Sequence, residues 1–314
     1  MIGRFVLGCL ALLPFAAAAD TLKVTVPNKG TWNMVEFAVQ EGFFRNAGLD
    51  VELAYTAGGS QTMQALISGS VDVATNTGIL AIVGAFAKGA PLRVIGAGLT
   101  GTTYTFWFAK ADSPIHGVKD MAGKVVGFSE AGSTSDLILR EMLRNAGLTG
   151  QVTLVSVGPA PSGLTQVMSG QIDASWSVVP FGLQQVKEGA IRIVARSSDV
   201  TSLQQQAINV TVTTASVVAS KPAALAIFNK VIAQTIDWAY SDPKALELLA
   251  AGSHVPLDIA RESVEQFIAK SVMQPDEIRG LPQILQQAAD FRFTSRVLTP
   301  AEVAPLFSAM NIKQ

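Results

Sequence analysis

Ala57–Thr77 reads AGGSQTMQALISGSVDVATNT, and the interpretation of the whole chain starts from it. The stretch predicts a glycine-rich loop, a short helix with Met63, Leu66 and Ile67 on one face, a tight turn and a buried strand. Strands that alternate with short helices in this way are typical of parallel α/β sheets.

Parts of this region occur a second time further along the chain. SGSVDVA at Ser68–Ala74 returns as SGQIDAS at Ser169–Ser175, and RNAGL at Arg45–Leu49 returns unchanged at Arg144–Leu148. A period of roughly a hundred residues is too long for a solenoid unit but fits one lobe of a duplicated α/β domain. The repeat therefore predicts two similar lobes that hold a ligand between their glycine-rich loops.

Composition limits the classes of function. The chain has 314 residues, of which 49% are apolar and only 15% charged, against about 25% charged in average proteins. Lys+Arg of 23 against Asp+Glu of 24 gives a formal charge of −1, and no basic run is present. A nucleic-acid or anionic-membrane partner is therefore not expected.

The N-terminus predicts export. Arg4 precedes an apolar run, Phe5–Phe15, and four alanines, Ala16–Ala19. This is the pattern of a secretory signal peptide cleaved after Ala19, and the run is shorter than the ~20 residues of a membrane anchor. Cys9 only faintly resembles a lipoprotein site, because too few apolar residues precede it. We expect a soluble periplasmic protein.

Cysteine usage excludes several kinds of chemistry. Cys9 is the one cysteine of the sequence, so cleavage after Ala19 leaves a chain without a disulfide, a thiolate nucleophile or a Cys-ligated metal. We expect no catalytic residue, no metal and no cofactor.

The order of predicted elements suggests discontinuous lobes. Strands alternate with helices up to residue 195, which predicts right-handed crossovers and mainly parallel sheets. We expect one lobe from 20–109 and 213–314, a second from 110–212, and a hinge of two crossings near 103–110 and 209–214. The return segment 213–314 supplies the C-terminal helices.

Residues 33–46 predict one helix, 210–219 a β-branched strand, and 257–270 a further helix.

Several short motifs resemble a known family, the periplasmic substrate-binding proteins of ABC importers that include nitrate, alkanesulfonate and taurine binders. The superfamily also holds the thiamine-pyrimidine synthases. The motifs are Glu41–Phe44 before Gly48–Val51, Gly58–Ser60, Gly69–Asp72, Lys88–Pro91, Asp120–Lys124, and Gly170–Ala174 with Pro180.

The resemblance implies a type II periplasmic-binding-protein fold: two α/β lobes, each a mainly parallel sheet flanked by helices. Such a protein closes about its hinge on a small molecule and delivers it, as a monomer, to an inner-membrane permease. Periplasmic binding proteins are a standard example of hinge closure around a ligand. By the resemblance, ligand contacts fall on Asn28, Thr31, Trp32, Gly58, Gly59, Ser60, Asn76, Thr77, Ser129, Gly132, Ser133, Thr134 and Trp176.

One departure from the family concerns the ligand. Members often carry an acidic residue shortly before the proline that corresponds to Pro180. This chain has Ser177-Val178-Val179 at that place. Recognition of a cationic or donor group at that place is therefore not expected.

The residues themselves favour an anion. Gly58–Ser60 and Gly132–Thr134 place small residues at helix N-termini, where free N–H groups and the helix dipole attract negative charge. Plain N-capping by Ser60, Ser133 or Thr134 is the alternative.

Aromatic residues predict the rest of the site. Trp32 and Trp176 follow strands at equivalent places, where they form the walls for an apolar or aromatic ligand body or else ordinary core. Tyr104 and Phe181 are weaker candidates for the same role. No arginine is clearly placed in the cleft, so a monoanion of the sulfonate or carboxylate class is favoured over a dianion.

Other polar groups are interpreted as structural. His116 and His254 have no carboxylate at a motif spacing, and Asp72 and Asp173 are expected to stabilise their Ser-Gly turns. Arg140 and Arg144, spaced with Glu141 on one helix, predict a solvated face.

Three functions compete. An importer's solute-binding protein is favoured by the signal peptide, the duplicated lobes and the glycine loops. A periplasmic sensor or scavenger on the same fold stays open, because it would use the same cleft. A pyrimidine-synthase-like enzyme is disfavoured, because the resemblance implies a cysteine-rich iron motif that this chain lacks.

Overall fold

The computed structural model describes residues 20–27, 29–56, 59–273 and 276–310, without the side chains of residues 59 and 60. The predicted signal peptide, its cleavage site and Cys9 lie outside the described residues, as do Asn28 and Gly58. Within the described ranges, no helix combines the length and the apolar composition that a bilayer crossing requires.

The part of the chain that the structure describes contains ten strands in two sheets. In chain order they are β1 (Asp20–Pro27), β2 (Leu49–Thr56), β3 (Val73–Gly78), β4 (Leu92–Thr100), β5 (Thr105–Lys110), β6 (Val125–Phe128), β7 (Thr153–Ser156), β8 (Ala174–Val178), β9 (Ile191–Arg196) and β10 (Ala207–Thr214).

Helices cover both sheets. They are α1 (Met34–Gln40), α2 (Phe43–Asn46), α3 (Gly59–Ile67), α4 (Ile79–Ala87), α5 (Thr134–Asn145), α6 (Ala160–Ser169), α7 (Leu183–Lys187), α8 (Ala215–Ser220), α9 (Pro222–Ala239), α10 (Lys244–Ser253), α11 (Leu257–Phe267), α12 (Leu281–Asp290) and α13 (Pro300–Val303). A short 3-10 turn, Lys270–Val272, follows α11.

The two sheets have the same strand arrangement. The first has the order β2-β1-β3-β10-β4 and the second β7-β6-β8-β5-β9. In each, one strand runs antiparallel to both of its neighbours: β10 between β3 and β4, and β5 between β8 and β9. This strand enters each sheet after the chain has crossed from the other. The structure confirms the duplicated, two-lobed, mainly parallel α/β architecture.

The repeat extends to equivalent hydrogen bonds. Asp72 accepts from the backbone N–H of Lys23 on β1 (2.9 Å), and Asp173 accepts from that of Val125 on β6 (2.8 Å). Each aspartate therefore ties the start of its strand to the neighbouring strand. The prediction of a structural role is right, but the partner is the adjacent strand and not the Ser-Gly turn.

Lobe boundaries stay a prediction. The strands of the second sheet run from Thr105 to Arg196, so the predicted boundary at residue 110 falls at the end of β5. The return to the first sheet begins at Ala207.

Local predictions were wrong in three places. Residues 33–46 form two helices, because Gly42 adopts a left-handed φ of 74° between α1 and α2. The strand predicted over 210–219 ends at Thr214, whose hydroxyl caps α8 at the Val217 N–H. Helix α11 ends at Phe267, before the 3-10 turn.

Two apolar cores hold these layers together. One lies between the first sheet and helices α1, α2 and α9, and includes Val24, Phe44 and Phe228. The other extends from α3 and α4 across the second sheet and into the C-terminal helices. Strands β5 and β8 are buried along nearly all their length, as central strands covered on both faces are.

Helix α12 contacts both lobes. It packs on α4 of the first lobe, and its Gln287 amide donates to Glu141 Oε1 of α5 at 2.8 Å. Glu141 is fully buried and pairs with Arg144 at 2.7 Å, while Arg144 also reaches Asp290 at 3.3 Å. The prediction of a solvated face is therefore wrong for Glu141, which α12 covers, whereas Arg144 is exposed.

Candidate functional site

A cavity of about 450 Å³ lies between the two lobes, near the carboxyl ends of β1, β3 and β6. This is the end of an open α/β sheet at which ligands bind, and the volume is in the range of small-molecule sites. Its walls come from both lobes, so a molecule inside it would contact both.

The first-lobe wall contains four of the predicted residues. Thr31 and Trp32 line the cavity after β1, and Asn76 and Thr77 line it at the end of β3. Asn76 is exposed and adopts a left-handed φ of 51°, a conformation that asparagine tolerates better than most residues. That backbone turn leads directly into α4.

The second-lobe wall contains all five residues predicted there. Ser129, Gly132, Ser133 and Thr134 line the cavity between β6 and α5, and Trp176 lines it from β8. The sequence repeat and the resemblance had therefore indicated residues on both walls that the fold brings to one space.

Groups of its own chain cap part of the N-terminus of α5. Ser133 accepts from the Asp136 N–H at 3.2 Å, and the Gly132 N–H donates to the Asp136 carboxylate at 2.8 Å. Asp136 is buried and pairs with Arg140 at 2.6 Å. The N-capping alternative thus describes Ser133.

The first glycine loop lies largely beyond what can be described. Gly59 begins α3, and of Ser60 only its place in that helix is known. Thr62 and Met63, one turn further along α3, line the cavity. Ligand contact by Gly58, Gly59 and Ser60 stays a prediction.

Both predicted tryptophans are part wall and part core. Trp32 is 8% exposed and packs edge-on against Phe37 (5.1 Å between ring centroids) and Tyr240 (5.5 Å). Trp176 is 4% exposed on β8. Each tryptophan can therefore present only part of its ring to a ligand. The predicted contact of two aromatic walls with the ligand body is limited to ring edges and parts of ring faces.

Tyr104 lines the cavity, whereas Phe181 is not among the described residues around it. The Tyr104 hydroxyl accepts from Asn209 Nδ2 at 3.4 Å. Burial raises the pKa of Tyr104 above its ordinary value, so the phenol stays neutral.

Sequence reasoning missed several lining residues, among them Asn33, Gly78, Lys88 and Asn209. Asn33 caps α1 by accepting from Val35 and Glu36 N–H groups, a role that its position before an apolar helix could have indicated. Asn209 lies near the start of β10, outside the repeated motifs.

Several buried polar atoms of the lining have no hydrogen-bond partner within the described chain: Asn33 Nδ2, Thr77 Oγ1, Trp176 Nε1 and Asn209 Oδ1. Buried polar groups are nearly always satisfied in native proteins, so such a cluster indicates groups kept for a ligand or for water. Trp32 Nε1 also lacks a partner of good geometry there. Burial raises the pKa of the Tyr240 hydroxyl to about 12, and an interaction with the Trp32 side chain acts to lower it. Trp32 Nε1 is therefore a weaker candidate, because it already interacts with Tyr240.

The cavity is nearly free of charge. Among its described lining residues Lys88, which is exposed, is the single Lys or Arg, and none is Asp or Glu. The place of the family's acidic residue is occupied by the apolar Val178 and Val179, which line the wall. This electrostatic character suits a neutral or singly charged molecule with a large apolar part.

No group of three or more His, Cys, Asp or Glu side chains able to hold a metal occurs among the described residues. His116 lies against Arg192 (2.6 Å to Nδ1), and His254 ends α10 in a left-handed conformation.

Three comparisons bear on family and fold. The NMT1/THI5-like family model matches residues 34–246, and a comparison with curated proteins found no significant match. Among solved structures, the periplasmic aliphatic sulphonate-binding protein SsuA of Escherichia coli is 17% identical, with 94% of each chain covered and a TM-score of 0.74.

Two further structures are similar. SsuA of Xanthomonas axonopodis pv. citri, an alkanesulfonate-binding protein bound to MOPS, is 19% identical over 93% of this chain and 99% of its own, with a TM-score of 0.77. A Candida albicans protein with the generic periplasmic-binding-protein fold is 15% identical over 94% and 96%, with a TM-score of 0.71. At these identities the likeness establishes the periplasmic-binding-protein fold.

Proposed function

Since this chain belongs to the NMT1/THI5-like family, we propose that it is the extracytoplasmic solute-binding protein of an ABC importer. It captures a small organic monoanion of the sulfonate or carboxylate class, with an apolar or aromatic body, by closing its two lobes. It then delivers the molecule to an inner-membrane permease. It acts in the periplasm, as a monomer, and catalyses no reaction.

The observation that carries this proposal is the nearly uncharged interlobe cavity with its unpartnered polar atoms. The N–H groups of Asn33 and Trp176 and the Thr77 hydroxyl can donate to a sulfonate or carboxylate oxygen. A hydrogen bond to a charged group contributes about 1.5–3 kcal/mol net, so a few such donors hold a monoanion. A dianion would need a buried cation, which the described lining lacks.

The relatives support the same class of ligand. Two of the similar structures are sulfonate-binding proteins, and one of them holds MOPS. The apolar part of the lining, which includes Met34, Met63 and Ile236, suits the body of such a molecule. The valines at positions 178 and 179 fit a ligand without a cationic group.

A thermal-shift screen tests the proposal. The chain without its predicted signal peptide is unfolded, refolded to remove any bound molecule, and screened against sulfonates, carboxylates, nitrate and the uncharged amide or ester of each anion. A ligand at a thousand times its Kd adds about 4 kcal/mol, which raises Tm by several degrees.

The expected result is a shift with organic monoanions and little or none with their uncharged counterparts. Shifts with the uncharged counterparts alone, or turnover of any compound, would overturn the proposal. A pull-down with the permease complex encoded beside the gene separates delivery to an importer from a sensor or scavenger role.

A further inference from the structure

The C-terminal part of the chain contributes one aromatic side chain to the cleft. Phe293 follows the end of α12 at Asp290 and is partly buried, and it lines the interlobe cavity. It lies beyond residues 34–246, which the family model matches. The family pattern therefore does not specify this part of the cavity wall.

Phe293 lies between the two lobes. Its backbone packs on α4 of the first lobe, where a Cβ added to Gly84 would come within 2.9 Å of the Phe293 carbonyl oxygen. Its ring packs on the second lobe, where a Cβ added to Gly132 would come within 2.9 Å of Phe293 Cε1. Both glycines therefore leave space that Phe293 occupies, and its ring contacts the second lobe from the first.

A tight turn holds Phe293 in this position. Arg292 has a left-handed φ of 65°, a conformation that is usually left to glycine after the end of a helix. The backbone N–H groups of Phe293 and Thr294 both donate to the Ala288 carbonyl, at 2.8 and 3.0 Å. Non-glycine residues keep such a conformation only where the surrounding structure fixes it. Phe293 is therefore a wall residue with a fixed backbone.

Phe291 provides a comparison within the same segment. It is also partly buried and also contacts the second lobe, since Arg140 and Arg144 of α5 lie 6.0 and 5.9 Å from its ring centroid. Of the two phenylalanines, however, Phe293 alone is among the described residues that line the cavity. A contact with the ligand can therefore be separated from a contact between the lobes.

We propose that Phe293 sets the upper size of the ligand body that the cleft accepts. Its ring contacts Gly132 while its backbone packs on Gly84, so the ring cannot move aside for a larger body without separating the lobes. The ligand class is then a monoanion whose apolar body is small enough to fit beside this ring. This inference rests on the proposed function.

Calorimetric titration with bodies of increasing size tests the inference on the refolded chain. The series is ethanesulfonate, benzenesulfonate, naphthalene-2-sulfonate and pyrene-1-sulfonate, together with the matching carboxylates. We expect the affinity of the wild type to fall at the first body that meets Phe293. A misfit of a single methylene in an apolar pocket already changes affinity by about tenfold or more.

Substitution of Phe293 should change the size preference. Phe293→Ala should raise the affinity for the first excluded member, relative to the largest accepted one, by about tenfold or more. Phe293→Leu should give a smaller change in the same direction, and it keeps an apolar side chain on Gly132 in case Phe293→Ala fails to fold. Phe291→Ala is the matched control and should keep the size preference of the wild type.

The outcomes separate this inference from the proposed function. An equal loss of affinity for every member in both Phe293 variants indicates a purely structural role and overturns the inference. A wild type that binds the whole series equally well, or the same change of preference in Phe291→Ala, also overturns it. In each of these cases the proposed function stays in place. Failure of every sulfonate and every carboxylate to bind the wild type overturns both.

Discussion

Gly78, at the end of β3 in the first lobe, lies directly against Gly132 of the second lobe. A Cβ added to Gly78 would overlap the carbonyl oxygen of Gly132, and it would come within 3.1 Å of the Ser133 carbonyl carbon. Gly132 in turn lies against Ala81 of α4. The two lobes thus touch along one edge of the cavity through residues without bulky side chains.

Gly78→Ala should therefore oppose closure of the lobes. Gly78 has a φ of −58°, which alanine adopts without strain, so the methyl group acts only through the contact across the cleft. Overpacking of this kind costs about 1–3 kcal/mol, and we expect roughly a 10- to 100-fold loss of affinity for the best monoanion of the screen.

The control for this variant is Gly117→Ala. Gly117 has extended backbone and open space around its would-be Cβ, so its substitution should leave affinity unchanged. Calorimetry on both variants gives the comparison. Equal affinities in Gly78→Ala and wild type would mean that ligand binding does not require this approach of the lobes.

Trp176 and Trp107 are register partners on β8 and β5, yet their indole groups differ. Trp107 Nε1 donates to the Gly127 carbonyl at 3.1 Å, whereas Trp176 Nε1 is buried beside the cavity with no acceptor among the described groups. We expect Trp176→Phe to lower affinity about tenfold or more, because a donor to the anion is lost.

Stability should respond in the opposite way. Trp107→Phe leaves a buried carbonyl without its donor and should lower the free energy of unfolding by about 1–3 kcal/mol, with little change in affinity. Trp176→Phe removes an N–H that pairs with nothing described, so it should lower the free energy of unfolding less than Trp107→Phe does. Urea unfolding and calorimetry on the pair measure both effects, and a reversed pattern would contradict the assignment.

The duplicated architecture could be predicted because short sequence motifs occur in both halves of it. The repeated SG-x-[VI]-D motif ends with Asp72 and Asp173, and both bond equivalent strands. The short motifs likewise led to Thr77, Ser129 and Trp176, because the ends of successive parallel strands meet at one edge of a sheet.

The remainder depends on contacts between distant parts of the chain. Arg144 and Glu141 show the spacing of a solvated ion pair, and the packing of Gln287, far along the sequence, accompanies the burial of Glu141 beside the exposed Arg144. Gly78 is one glycine among 27, and its importance comes from the opposite lobe.

Glu36 predicts a pH-dependent stability. It is buried on α1 and accepts from the Gly30 N–H at 3.4 Å, next to the loop that carries Thr31 and Trp32. Burial raises its pKa above the usual 4.5, against the opposing effects of Tyr55, Gly30 and Lys29. Its contribution to stability is present below the unfolded-state pKa and is lost as pH rises through the folded-state pKa.

Glu36→Gln should therefore be more stable than wild type at neutral pH, and the difference should shrink as pH falls toward and below 4.5. Urea unfolding of both proteins between acid and neutral pH measures this. Glu52→Gln, at an exposed position, is the control and should change the unfolding free energy by less than about 0.5 kcal/mol. A Glu36→Gln protein that is less stable at neutral pH would show that the carboxylate is held by its partners.

Gln287 links the two lobes through groups that are fully buried. It donates to Glu141 Oε1 and accepts from Gln206 Nε2, both at 2.8 Å. Gln287→Ala would leave a buried carboxylate oxygen and a buried amide without these partners, each at a cost of about 1–3 kcal/mol. We expect a loss of about 2–4 kcal/mol in the free energy of unfolding.

Its neighbour provides the control. Gln286 lies on the exposed face of α12 and bonds only Asp290 of its own helix among the described contacts, so Gln286→Ala should change stability by less than about 0.5 kcal/mol. Helix α12 packs on α4 of the first lobe, and its Gln287 bonds Glu141 on α5 of the second lobe. This hydrogen bond therefore stabilises the closed arrangement of the lobes only as long as α12 contacts both. If folded Gln287→Ala binds the ligand more weakly than wild type, the hydrogen bond between Gln287 and Glu141 is broken when the lobes open. Unchanged binding would mean that α12 keeps its hold on α5 in both states.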